Sequence, residues 1–127
     1  MKKAIKFFVI IGLIPLLVMG ATSVFAPANT FEKFGINPTG ILTYSTFRGD
    51  VGGTLVSIAL IMILGLITTN KTWFQAALLI ISVILSSRIV SIILDGWINE
   101  LIPLLLTEIF NVIALFFAVK HLKTTEK

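Results

Sequence analysis

The stretch WFQAALLIISVILSSRIVSIIL, Trp73–Leu94, carries a single charged residue, Arg88, in an otherwise neutral and largely apolar run. About 20 mainly apolar residues cross the hydrocarbon core of a bilayer as one helix, so this run has the length of a membrane span. Three further runs match it: Phe7–Ala26, Val51–Thr69 and Leu101–Val119. Only the third and fourth spans hold a charged type, Arg88 and Glu108. Such runs must satisfy their own backbone polar groups, and helices do so. The expected fold is therefore an all-α integral membrane protein with four transmembrane helices in an antiparallel bundle. The whole chain, 1–127, reads as one domain. Its helices are expected at about 4–26, 48–69, 72–95 and 100–120, with an outer loop at 27–47.

Composition agrees. The 127 residues are 57% hydrophobic and 13% charged, about half the charge of an average soluble domain. Mean hydropathy is +1.05. With no cysteine and a single histidine, His121, neither a disulfide framework nor a thiolate or multi-histidine metal site is possible. No cofactor is expected. The net charge of +4 sits beside apolar spans rather than in one patch, which speaks against nucleic acid.

Lysine placement sets the expected orientation. Lys2, Lys3, Lys6, Lys71, Lys120, Lys123 and Lys127 fall at one end of the spans, and only Lys33 and Arg48 at the other. By the positive-inside rule both termini and the Asn70-Lys71 turn are cytoplasmic. Trp73 and Trp97 mark opposite ends of the third helix, as interfacial aromatics do. The first span resembles a signal peptide in its lysines and in Val24-Phe25-Ala26. Its apolar run exceeds a usual h-region, so a retained helix is expected. Pro15 is expected to kink it. In the long connection, PANTFEKFG reads as a short interfacial helix, with Pro27 in its first turn, Phe31 and Phe34 on one face and Gly35 as its stop.

The charges converge in depth. Arg88 lies roughly 10 Å inside the outer end of helix three, and Glu108 roughly 12 Å inside that of helix four, at 1.5 Å per residue. Ser87, Arg88, Ser91 and Asp95 share one stripe; Glu100, Thr107, Glu108 and Asn111 share an arc of the next helix. A charge facing lipid costs about 2.5–3.5 kcal/mol at mid-depth, so the stripes should face each other. An Arg88–Glu108 ion pair is expected, hydrogen-bonded further by Ser91 and Asn111. Arg48 and Asp50 stand at the outer mouth of helix two. Two arginines against Asp50, Asp95, Glu100 and Glu108 leave two negative charges over. These are wet at the surface, protonated, or matched by a cationic or hydrogen-bond-donating ligand. The plainer alternative is that the cluster only fixes helix register.

FRGDVGG, Phe47–Gly53, lacks the Lys-Ser/Thr of a phosphate loop and opens an apolar span. Gly49, Gly53 and Ser57 recur at i+4, the pattern of a close helix-packing seam. Arg48 and Gly52 share a face, so Arg48 is expected to lean over the glycine. The Asn70-Lys71-Thr72 glycosylation triplet falls on the cytoplasmic side and is discounted.

Four ordered stretches carry a resemblance: GATSVFAPANTFEKFGI, FRGDVGG, SSRIVSIILDG and TEIF. Together they resemble a small bacterial membrane family catalogued as domain of unknown function 4345, over about three quarters of the chain. The resemblance implies a four-helix membrane fold in the bacterial cytoplasmic membrane, a retained first helix, and Arg48, Asp95 and Glu108 as a set. It also implies a glutamate shortly before the Arg-Gly of helix two, where this chain has Ser45-Thr46-Phe47. It supplies no activity.

Three functions are compatible with these residues. The first is a non-enzymatic module whose outer pocket binds a lipid-like or small amphipathic ligand, or which scaffolds a membrane-protein partner or a homodimer. The alternative is a small enzyme acting on an apolar lipid by proton transfer, with Glu108 as acid/base. The third is a proton-coupled transporter working as a dimer. It ranks last because the inner half carries no charge.

Overall fold

A computed structural model describes residues 1–122, and the expectations for Lys123 and Lys127 lie outside these residues. Among the described residues all regular structure is helical. α1 spans Lys3–Phe25, α2 Pro27–Phe34 and α3 Ile41–Thr46; a π-helical segment, Phe47–Gly53, leads into α4, Thr54–Thr68. α5 spans Lys71–Asp95 and α6 Leu101–His121. Four helical runs are long and apolar enough to cross a membrane: Lys3–Phe25, Ile41–Thr68, Lys71–Asp95 and Leu101–His121.

The exterior is far more apolar than that of a water-soluble protein. Phe7, Val18, Leu79, Ile93 and Leu94 are more than half exposed, while Ser23, Glu108 and Asn111 are buried. An apolar exterior around polar buried groups suits hydrocarbon as the solvent. Seven hydroxyls make the same adjustment. Thr22, Ser23, Ser57, Thr68, Ser86, Ser87 and Thr107 each donate to the carbonyl four residues back, at 2.6–2.9 Å. That bond satisfies the donor within its own helix, with no partner outside it. These features mark a multi-pass membrane protein.

Local chemistry explains the helix ends. Pro27 occupies the first turn of α2, where no amide hydrogen is needed. Gly35 ends it at φ 65°, a left-handed position that glycine takes without a Cβ clash. Gly35 N–H donates to Glu32 O and Ile36 N–H to Phe31 O, the paired bonds of a Schellman stop. The short helix of the sequence reading is thus present with its start and stop. α5 begins at Asn70, whose side chain accepts from Thr72 N–H at 2.9 Å, and ends at Gly96, φ 97°. Pro15 lies inside α1, which continues through it. Pro103 lies in the first turn of α6, where the missing donor costs nothing.

One difference from the sequence reading lies at the start of the second span. The span begins at Ile41, seven residues before the expected start. Thr43, Ser45 and Thr46 interrupt the apolar pattern there without breaking the helix. Thr69, between α4 and α5, is the one non-glycine residue at positive φ among the described residues, at 50°. A β-branched residue is strained in that region. Thr69→Gly is therefore expected to raise stability by about 1 kcal/mol in thermal denaturation, and Thr69→Val to give no gain.

The chain divides into two compact units, Met1–Leu13 with Ile61–Lys127, and Ile14–Leu60. In the first, the buried positions include Val9, Met62, Phe74, Ile81 and Leu115, with Gly12, Gly65, Ala77, Ala114 and Ala118 where helices approach closely. A β-carbon on Gly65 would fall 2.8 Å from the Phe74 ring, so the glycine makes room for the aromatic. In the second, Phe31 packs edge-on against Tyr44 (5.1 Å between centroids) and against Phe47 at 4.8 Å, which fastens α2 to α3.

Candidate functional site

Arg88 lies on α5 and Glu108 on α6, two helices joined by five residues and packed side by side. Their side chains meet. Arg88 Nε donates to Glu108 Oε1 at 2.8 Å and to Oε2 at 2.9 Å, and Nη2 donates to Oε1 at 2.6 Å. The expected ion pair is present, and no other occurs among the described residues. The partners are unequally covered: the Arg88 side chain is 25% exposed and that of Glu108 9%. Both carboxylate oxygens accept from Arg88. On the guanidinium, Nη1 donates to no group among the described residues, and it is not among their buried atoms lacking a partner. Glu108 is the more covered partner, so the exposed hydrogen-bonding capacity of the pair is mainly donor capacity at the edge of Arg88.

Two expected contributors do not touch the pair. Ser91 Oγ donates to Asp95 Oδ2 at 3.0 Å, one turn further along α5. Asn111 Nδ2 donates to Gly12 O on α1 and to Thr107 O, each at 3.0 Å. The stripe assignment put Asn111 on the right arc of α6. Its short side chain meets instead the α1 backbone, laid bare because Gly12 has no side chain. Asn111 is fully buried and its Oδ1 has no hydrogen-bond partner. A β-carbon on Gly12 would collide with that oxygen, so only glycine leaves room for the amide.

The remaining carboxylates are at the surface: Asp50, Asp95 and Glu100 are exposed and pair with no cation among the described residues. Ser87 and Thr107 spend their hydrogens on their own helices.

In the second unit Arg48 has a different task. It projects from the π-helical segment, and its Nη1 donates to the carbonyl of Val24, in the last turn of α1. Carbonyls at a helix C-terminus lack intrahelical partners and carry partial negative charge, so a guanidinium caps them well. Gly52 lies on the same face: a β-carbon there would fall 2.7 Å from Val24 Cγ2. Arg48 does lean over the glycine. The Gly49–Gly53–Ser57 seam is corrected by the same geometry. A β-carbon on Gly49 would meet nothing within 4 Å, one on Gly53 only its own helix, and Ser57 is exposed. Two rows with i+4 spacing compete here, and the capping bond turns the Arg48–Gly52–Val56 row toward α1. The receiving residue on α1 is Gly20, whose β-carbon would fall 2.9 Å from Val56. Gly12 and Gly20 were not singled out from sequence; their only signal is that they are the glycines of the first span.

The chain belongs to the family described as Domain of unknown function (DUF4345), which it matches over residues 4–119. No curated protein and no solved structure matches it.

Proposed function

We propose that this member of the family is a non-enzymatic module of the bacterial cytoplasmic membrane that binds a lipid-like or small amphipathic molecule at Arg88. In this reading the four spans are antiparallel, both termini are cytoplasmic, and the Arg88–Glu108 pair lies in the outer half of the membrane. The observation that carries the reading is the accessible Nη1 of Arg88, a charged donor with no acceptor among the described residues, beside a covered carboxylate that accepts from Arg88 at both oxygens. An ammonium or hydroxyl donor finds Glu108 covered, its side chain 9% exposed and both oxygens already accepting from Arg88. A carbonyl, ester or phosphate oxygen finds a donor on Arg88, and the surrounding apolar surface suits a hydrocarbon tail. A donor left bare in hydrocarbon costs several kcal/mol, which gives the ligand its affinity. The proton-transfer alternative rests on Glu108, and both its oxygens accept from Arg88, so that chemistry requires the pair to open first.

The test exploits the difference between guanidinium and ammonium. Arg88→Lys keeps a charge for Glu108 but loses the planar second edge. Native mass spectrometry of protein released from lipid nanodiscs is expected to show a retained amphipathic molecule on the natural chain and its loss on Arg88→Lys, with the melting temperature within a few degrees. Equal retention by both would refute the reading.

A further inference from the structure

At one end of the first unit α1 and α6 enclose a groove of about 320 Å³ whose lining is wholly apolar. Ala4, Ile5 and Phe8 of α1 face Phe110, Ala114 and Phe117 of α6 across it, and the rings of Phe8 and Phe110 stand 6.1 Å apart. The groove differs in kind from the Arg88 site, since no polar atom lines it. Its surroundings are one-sided in charge. Lys2, Lys3 and Lys6 flank the α1 wall, and Lys120 and His121 follow the α6 wall; all five are exposed. Among the described residues none makes an ion pair, and no acidic one lies within 20 positions of either group on its own helix except Glu108, which Arg88 neutralises.

We infer that this groove is a binding site for an anionic phospholipid, one acyl chain lying between Phe8 and Phe117 and the headgroup phosphate meeting the lysines of the rim. A neutral lipid fits the apolar groove equally well; the exposed lysines of the rim select the negative headgroup. Basic residues beside a membrane each favour anionic lipid by about fivefold, and a groove between helices fixes the lipid instead of leaving it diffuse. The groove volume is within the range of small-molecule sites, enough for a segment of chain and too small for a helix.

The experiment uses the full chain in nanodiscs of equal phosphatidylglycerol and phosphatidylcholine, read by native mass spectrometry. Phosphatidylglycerol is expected to be retained about tenfold over phosphatidylcholine. Two variants separate the contributions. Lys2→Gln with Lys3→Gln and Lys6→Gln should abolish the preference. Ala4→Phe, at an exposed position, should fill the groove and abolish the preferential retention of phosphatidylglycerol, leaving any molecule held at Arg88, while the melting temperature holds. Retention without headgroup preference would overturn the inference, since any surrounding lipid behaves so. A preference that survives Ala4→Phe would overturn it too, by placing the lipid on the surface lysines alone. Dimers that Ala4→Phe abolishes would overturn it by assigning the groove to a second copy.

Discussion

Arg88→Ala is expected to destabilise the folded protein by about 3–5 kcal/mol, because it leaves the Glu108 carboxylate buried without its counter-charge. Glu108→Ala should cost less, since Arg88 is a quarter exposed and its long stem can carry the charge outward. Replacing both by leucine is expected to restore stability to that of the natural chain or beyond. A buried ion pair and a well-packed apolar pair are close in energy, and only the orphaned charge is expensive. Reversing the pair, Arg88→Glu with Glu108→Arg, should recover more folded protein than either single reversal. Thermal denaturation in detergent and yield of monodisperse protein measure both. If the double leucine variant were as unstable as the worse single one, the pair would be no independent unit and its geometry would not explain the fold.

The second large effect is expected at Gly12. The three atoms nearest a β-carbon there all belong to Asn111. The amide cannot swing away freely, because it is fully buried and held by two hydrogen bonds. Gly12→Ala should therefore cost about 1–3 kcal/mol, the usual range for overpacking a close contact. Asn111→Ala should cost about 1 kcal/mol, the net worth of a hydrogen bond between membrane helices. With both changes the clash has no partner, and the double variant should be no less stable than Asn111→Ala alone. A Gly12→Ala penalty that persists in the Asn111→Ala background would show that the glycine matters for another reason.

These two contacts illustrate what was legible in the sequence. Arg88 and Glu108 could be matched because a five-residue connection forces α5 and α6 to be neighbours, so counting residues from the turn gives depth. The α2 helix was readable because Pro27 and Gly35 act locally, one through a missing donor and the other through positive φ. The Asn111–Gly12 contact joins residues 99 positions apart. Nothing local says that α1 and α6 touch, and a glycine in an apolar span looks the same whether or not an amide lies against it. The π-helical segment was hidden for a related reason. FRGDVGG fits an α-helix as well as a π-helix by composition, and what selects the face toward α1 is the need of Val24 O for a donor. That need exists only once α1 has ended where it does. The apolar groove was illegible because Phe8 and Phe117 read as ordinary lipid-facing residues until the two helices are brought together.

The account rests on Arg88 having a donor to spare. The most direct measurement is an experimental structure of the full chain in a lipid bilayer or lipidic mesophase, at a resolution that shows the guanidinium. The account predicts the Arg88–Glu108 contact intact and non-protein density, continuous with an apolar tail, about 2.7–3.1 Å from Nη1. A protein side chain occupying that position, or a guanidinium turned fully onto protein acceptors, would contradict it.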